Sequence, residues 1–158
     1  MRTNIGRLVL SLADVLTAVV PFLADWNGSH LFSRLWSPRA RFHGMVSLSM
    51  TATLSTVALW HLWRPGRRAH DDAATTFAAL IPIAYWGPFF VAPFVPGTGV
   101  EDSGHELRRV FGVPPNLLGA AATVATAGLV WYLDRQLRPD AAAAAWRAPT
   151  TENAHSPA

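Results

Sequence analysis

Residues 44–63 read GMVSLSMTATLSTVALWHLW, a stretch without Asp, Glu, Lys or Arg that is long enough to cross a bilayer as a helix. Three further apolar stretches flank it, at residues 8–24, 73–96 and 111–133. Each has about the 17 to 25 mostly apolar residues that a membrane-spanning helix needs. The sequence therefore predicts an all-α polytopic membrane protein, a bundle of four transmembrane helices.

The composition of the whole chain indicates the same class. Hydrophobic residues make up 51% of the 158 residues, charged residues make up 15%, and the mean hydropathy is +0.21. These values are too apolar for an ordinary soluble domain. We predict one transmembrane domain at residues 1–138 and a disordered cytoplasmic tail at residues 139–158, which are rich in alanine and polar residues.

Several classes of chemistry are excluded by residues or motifs that the sequence lacks. There is no cysteine, and all thirteen basic residues are arginine, which excludes disulfides, thiolate catalysis and lysine Schiff bases. The sequence has no Gly-x-Ser-x-Gly motif, no P-loop and no dinucleotide-binding fingerprint. The net charge of +3 comes from arginines beside the spans, so we expect no nucleic-acid partner.

The distribution of arginines predicts the orientation in the cell membrane. The amino end, the second loop and the tail hold eight arginines, whereas the first and third loops hold five. Because arginine-rich segments stay in the cytoplasm, both termini are predicted to be cytoplasmic. Arginines before the first apolar run also fit a secretory signal, but Asp14 within that run argues against cleavage.

Most candidate chemistry lies in the first and third loops. Two membrane crossings separate these loops, so both are predicted to lie on the non-cytoplasmic side and to form one site. The candidate acid/base residues there are Asp25, His30, His43, Glu101, Asp102, His105 and Glu106. The simplest alternative is that these residues are solvated charges at the membrane interface.

Asp14 is a further candidate acid, near the middle of the first span. An ionised carboxylate at that depth costs several kcal/mol unless it is paired, hydrated or protonated. At about 100° per residue, Asp14 and Asp25 point within about 20° of each other, which predicts one polar face on the first helix. Asp14 is therefore either a functional acid or a buried hydrogen-bond partner.

Two patterns in the second and third spans predict a polar pocket between the helices. Every fourth residue from a histidine onward is a hydroxyl residue in the second span, and this stripe is formed by His43, Ser47, Thr51 and Ser55. Prolines break the third span, and in membranes such breaks occur where freed backbone groups find partners or line a cavity. These prolines are Pro82, Pro88, Pro93 and Pro96.

A divalent metal is the one cofactor that these residues suggest. Two histidines and a carboxylate can bind zinc, iron or manganese, and the candidate ligands are Asp25, His30 and His43. The spacings match no established metal motif such as His-Glu-x-x-His. Acid/base chemistry without a metal stays an equal alternative.

The residues around these groups suggest a hydrophobic small-molecule substrate. Aromatic faces could line the apolar part of a site and stabilise a cationic intermediate. The candidate substrate-binding residues are Trp26, Asn27, Trp36, Arg41, Tyr85, Trp86, Phe89 and Phe90. We interpret the chain as an isomerase-type or cyclase-type enzyme acting on an amphiphilic or isoprenoid-like molecule.

The sequence leaves open whether the protein is an enzyme at all. One alternative is a non-catalytic membrane subunit, and another is a carrier of small solutes linked to a proton or a metal. A third is a purely structural partner in a larger complex, and the partner could also be a second copy of the chain. The lipid bilayer is the partner common to every alternative.

A signature in the first loop resembles a known family. The run Asp25-Trp26-Asn27-x-x-His30-x-Phe32, followed by Trp36-x-Pro38-x-Ala40-Arg41-Phe42-His43, is similar to one found in small four-span membrane proteins of bacteria and fungi. The resemblance covers residues 8–63 well, and the third-loop acids and residues 111–116 more loosely. It implies four helices but no particular activity. The layout is also similar to the DoxX-like and sterol-isomerase-like membrane folds, in architecture alone.

Overall fold

The computed structural model describes residues 2–65, 72–101 and 108–136. No β-strand occurs in these ranges, which confirms the predicted all-α class. The elements are four α-helices and two short 3-10 helices: α1 Arg2–Asp25, α2 Pro38–Trp63, α3 Asp72–Trp86, η1 Gly87–Phe90, η2 Ala92–Phe94 and α4 Pro115–Gln136.

Four segments are long and apolar enough to cross a membrane, as predicted. They are Asn4–Asp25, Pro38–Trp63, Ala73–Phe94 and Pro115–Gln136. The four segments indicate a membrane protein built as a four-helix bundle. The tail predicted at residues 139–158 lies outside the described residues.

Local capping and turn chemistry explains why helices begin away from the edges of the apolar runs. Helix α2 begins six residues before the apolar stretch at 44–63, because Pro38 suits the first turn and the Ser37 hydroxyl accepts a hydrogen bond from the Ala40 amide at 3.2 Å. Helix α4 begins at Pro115 rather than near residue 111, because Phe111 and Gly112 form a tight turn with φ of 52° and 78°. Neither signal can be read from the hydropathy of the sequence.

The four helices pack up-down-up-down around small residues. Helix α1 contacts each of the other three, whereas the described parts of α2 and α4 make no contact with each other and form the long diagonal. All four helices contribute to a central cluster of Leu10, Ala58, Leu62, Ala78, Ala79, Ile81 and Ala127. The many alanines let the helix backbones approach closely, as is typical of helix contacts in membranes.

Contacts at both ends hold α1 and α2 in one antiparallel register. At one end, the Arg7 guanidinium donates to the Leu62 carbonyl and lies 4.3 Å from the centre of the Trp63 ring. Toward the other end, α2 approaches the first loop so closely that a Cβ on Gly44 would lie 3.0 Å from Leu31 and 3.1 Å from Trp36. A side chain larger than glycine at residue 44 would therefore displace the first loop.

The predicted hydroxyl stripe of α2 faces the interior over only half its length. Thr51 and Ser55 are buried, whereas His43 and Ser47 are exposed. Each step of four residues turns a helix by about 40° beyond a full turn, so three steps carry His43 about 120° away from Ser55. The predicted stripe therefore does not face the interior at its first two residues, His43 and Ser47.

Candidate functional site

A cavity of about 720 Å³ lies at the end of the bundle where α1 and α3 finish and α4 begins. Its wall combines apolar and aromatic side chains from the helices with polar groups from the first and third loops. The lining residues with chemical interest are Asp25, Ser29, His30, Glu101, Asn116, Tyr85, Trp86 and Phe89. The break in helix three lies beside this cavity, as predicted, because Pro88 and Pro93 of the two 3-10 helices also line it.

The polar end of the cavity contains a close histidine–carboxylate pair. His30 Nε2 lies 3.7 Å from Asp25 Oδ1, and both side chains are about two-thirds buried. Asp25 is the last residue of α1, so a helix end holds one member of the pair. A carboxylate beside an imidazole can orient the ring and stabilise its protonated form, which is what a general acid/base histidine requires.

Asn27 holds the loop that presents His30. Its side-chain oxygen accepts hydrogen bonds from the amides of Ser29 at 3.0 Å and His30 at 2.9 Å, and from the Ser29 hydroxyl at 2.7 Å. Its amide nitrogen donates to the Ala24 carbonyl at 2.6 Å. Asn27 therefore fixes the turn between the end of α1 and His30.

Trp36 and Arg41 brace the same loop from the side of α2. The Trp36 ring lies 4.7 Å from the His30 ring, edge to face. The Arg41 guanidinium donates to the carbonyls of Leu31 and Ser33, both at 3.1 Å. These contacts satisfy buried backbone carbonyls and hold the loop against the start of α2.

The third loop brings Glu101 into the cavity wall. One of its carboxylate oxygens pairs with Arg109 at 3.3 Å. The other is buried and has no hydrogen-bond partner among the described residues. Asn116 at the start of α4 donates to the Val100 carbonyl at 2.8 Å, which fixes the backbone beside Glu101. Glu101 therefore has a free acceptor in the wall that also contains Asp25 and His30.

Three aromatic rings form the apolar side of the cavity. The Tyr85 and Trp86 rings are 4.9 Å apart, and the Trp86 and Phe89 rings are 5.0 Å apart. Trp86 is buried, and its indole N–H donates to the Thr17 hydroxyl of α1 at 3.0 Å. Aromatic walls with a few polar groups at one end are typical of sites for small amphiphilic molecules.

Comparison with known proteins assigns the chain to a family. Residues 9–144, most of the chain, match a family described as a family of unknown function, DUF6640. The chain belongs to the DUF6640 family. No curated protein and no solved structure matches it.

In this DUF6640 chain, six of the predicted site residues line the cavity together. They come from both loops and from the third span, and they are Asp25, His30, Glu101, Tyr85, Trp86 and Phe89. The first and third loops therefore meet at one site, as expected from two intervening membrane crossings. Asp102, His105 and Glu106 lie outside the described residues.

The other predicted site residues of the DUF6640 chain do not line the cavity. Asn27, Trp36 and Arg41 hold the first loop, as described above. Trp26 packs against Phe32 with ring centres 5.2 Å apart, and Phe90 is exposed. Asp14 is buried among the helices. Arg41 has a structural role in its hydrogen bonds to the first loop, and its predicted role in substrate binding stays a prediction.

His43 is a predicted catalytic residue that does not line the cavity. It follows Arg41 by two residues on α2, which turns it about 200° away from the face that holds the first loop. Its side chain is exposed, and its ring lies against Phe42 at 5.6 Å. No group of three or more His, Asp and Glu side chains in the described ranges is placed to hold a metal ion, so Asp25, His30 and His43 do not form one.

Sequence reasoning missed several cavity residues in this family member. Ser29, Asn116 and Gly119 line the cavity, although the sequence assigned none of them a role in the site. The one available signal was the position of Asn116, directly after Pro114-Pro115 at a helix start. Gly119 carries no such signal, because a helical glycine is equally typical of helix packing.

Proposed function

We propose that this chain is an integral membrane enzyme that acts on an amphiphilic or isoprenoid-like small molecule by acid/base chemistry, as an isomerase or a cyclase does. One observation carries the proposal: a cavity of about 720 Å³ joins the His30–Asp25 pair and Glu101 to the rings of Tyr85, Trp86 and Phe89. Such a wall suits a molecule with a polar end and an apolar body.

The chemistry assigned to the polar end is proton transfer. His30, oriented by Asp25, would give a proton to one carbon of the substrate, and the free oxygen of the Glu101 carboxylate would remove a proton from another. A return of the proton from Glu101 to His30 through solvent then regenerates both groups, so no co-reactant is consumed. Asp102, His105 and Glu106 follow Glu101 in the chain, and we include them as candidate groups for that return.

The aromatic wall supports a substrate that passes through positive charge. The faces of Tyr85, Trp86 and Phe89 carry negative potential, which attracts cations near the ring centres. No arginine lines the cavity in the described ranges, and Arg109 is paired with Glu101. The aromatic ring faces and the carboxylates of the cavity wall would therefore stabilise a carbocation-like intermediate.

An untargeted comparison of lipids and metabolites tests this function. Cells that lack the protein are compared with the same cells carrying the wild-type chain, which is expected to deplete one amphiphilic species and produce an isomer of the same mass. A product of different mass would contradict an isomerase. Identical profiles in the two strains would favour a non-catalytic role.

We further propose that both termini are cytoplasmic and that the cavity opens on the opposite side of the membrane. On this proposal, the signature from Asp25 to His43 is the functional segment of the family. Since the chain has no native cysteine, single cysteines report topology directly. Leu35→Cys, at a residue 95% exposed in the first loop, is expected to react with an impermeant maleimide outside intact cells. Pro65→Cys, after α2, is expected to react only after lysis. The reverse pattern would invert the orientation.

The second candidate function is a proton-linked or metal-linked carrier of small solutes, or a non-catalytic membrane subunit. The observation that favours it is Asp14, a carboxyl group fully buried between the helices and away from the cavity wall. Helix α4 is the least covered of the four, which leaves a face for lipid, for a second copy or for another subunit. An unchanged metabolite profile together with altered solute uptake would favour the carrier.

A further inference from the structure

Two polar side chains in the centre of the bundle lack a hydrogen-bond partner among the residues that the structure describes. Asp14 of α1 and Ser55 of α2 are both 0% exposed. Neither carboxylate oxygen of Asp14, nor the Ser55 hydroxyl, has a partner in the described part of the chain. Buried polar groups are normally bonded, so two unpartnered groups at the same depth point to a bound species between them.

The register of α1 and α2 places these two residues at the same level. Arg7 of α1 donates to the carbonyl of Leu62 on α2, and the two helices run antiparallel. Seven residues forward along α1 lead from Arg7 to Asp14, and seven residues backward along α2 lead from Leu62 to Ser55. Both steps span about 10 Å, so this register places Asp14 and Ser55 at about the same level in the bundle.

The described middle sections of α2, α3 and α4 supply no positive charge to neutralise an ionised Asp14. Residues 44–60 of α2, 73–84 of α3 and 115–131 of α4 contain no ionisable side chain. On α1 itself the neighbours are Arg7, about 10 Å away along the axis, and Asp25, which lies on the cavity side. The Arg7 guanidinium is bonded to the Leu62 carbonyl and lies over the Trp63 ring.

The remaining titratable groups lie at the ends of the other helices. His61 packs between the rings of Trp60 and Phe77, and Tyr85 lies in the cavity wall. Helix α4 has Tyr132 and Asp134 near its carboxyl end. An isolated carboxylate in such surroundings is costly, whereas a protonated carboxyl gains a donor that a serine oxygen can accept.

We propose that Asp14 and Ser55 form an intramembrane proton-binding site, in which Asp14 carries the proton at neutral pH and donates a hydrogen bond to the Ser55 hydroxyl through one bridging water. The site lies one helical turn from Thr17, whose hydroxyl accepts from Trp86 in the cavity wall. The Thr17–Trp86 hydrogen bond separates the proton site from the cavity and controls exchange between them. This site does not depend on the nature of the molecule that the cavity binds.

Infrared spectroscopy of the full chain in phospholipid vesicles tests proton binding. A protonated carboxyl has a carbonyl stretch distinct from that of a carboxylate. The wild type at neutral pH is expected to show a carboxylic band that disappears in Asp14→Asn and moves to higher frequency in Ser55→Ala. Thr56→Ala is the matched control, because the exposed Thr56 hydroxyl bonds to the Ala52 carbonyl of its own helix at 2.8 Å, and it should leave the band unchanged.

Two results would overturn the site. A wild-type spectrum that differs from Asp14→Asn only in carboxylate bands would mean that Asp14 is ionised. A carboxylic band at the same frequency in Ser55→Ala as in the wild type would remove Ser55 from the site. This second measurement remains informative even if Asp14→Asn does not fold.

The exchange route is tested by the rate at which the Asp14 band shifts after transfer to heavy water. Trp86→Phe removes the donor to Thr17 and is expected to accelerate the shift at least several-fold. Trp131→Phe is the matched control, because Trp131 donates to the Thr76 hydroxyl at 3.2 Å between α3 and α4. Equal rates in the two variants would overturn a route past Thr17 and Trp86.

Discussion

Gly119→Trp is expected to lower the amount of the amphiphilic molecule that the purified protein retains by about tenfold or more. Gly119 lines the cavity, and a Cβ built on it meets nothing within 4 Å, so an indole at this position would enter the cavity rather than displace a helix. A loss of about 1.4 kcal/mol of ligand contact already lowers affinity tenfold. Mass spectrometry of extracts from the detergent-purified protein measures the retained molecule.

Gly128→Trp is the matched control for this cavity-filling change. Gly128 lies on the same helix, is absent from the cavity wall, and also has nothing within 4 Å of a built Cβ. Both variants replace a helical glycine by the same residue, so their effects on helix propensity are alike. Equal retention by the two variants would show that the cavity is not where the molecule binds.

His30→Gln is expected to lower turnover by about 10² to 10⁴, the usual contribution of a general acid or base. Glutamine keeps a polar group near Asp25 and is close to histidine in size. Its amide neither gains nor loses a proton near neutral pH. The folded bundle should survive, since His30 lies in a loop that Asn27 and Arg41 hold independently. The measurement is the conversion of the species found by the metabolite comparison, with a melting curve to verify folding.

His61→Gln is the control for loss of a half-buried histidine. Its ring lies 4.9 Å from Trp60 and 6.0 Å from Phe77, near the carboxyl end of α2 and away from the cavity wall. Conversion by His61→Gln should match the wild type. Full conversion by His30→Gln would remove His30 from the mechanism and leave Glu101 and the third loop as the candidate catalytic groups.

The fold could be predicted because hydropathy is a local property. A stretch such as residues 44–63 has no alternative to a helix in a bilayer, where every backbone group must be bonded within its own segment. The helix ends were less predictable, since they depend on contacts between particular atoms. The Ser37 hydroxyl extends α2, and the left-handed turn at Phe111 and Gly112 delays α4.

The candidate site was predictable in its location and less so in its members. Two crossings between the first and third loops placed Asp25, His30 and Glu101 at one end of the bundle, where the cavity is found. Trp36 and Arg41 do not line the cavity and hold the first loop, which the sequence did not predict, because aromatic and guanidinium groups serve structure and binding equally well.

The sequence by itself determined the four helices, the end of the bundle at which the loops meet, and the presence of one acid in the middle of the first apolar stretch. Only the tertiary structure decided that His43 is exposed and outside the cavity wall, that Glu101 enters this wall, and that Asp14 and Ser55 are both fully buried without a hydrogen-bond partner among the described residues. The physical reason is that composition sets which segments leave water, whereas side-chain neighbours depend on the rotation and register of each helix. Those follow from packing between segments distant in the chain, such as the contact of Arg7 with Leu62.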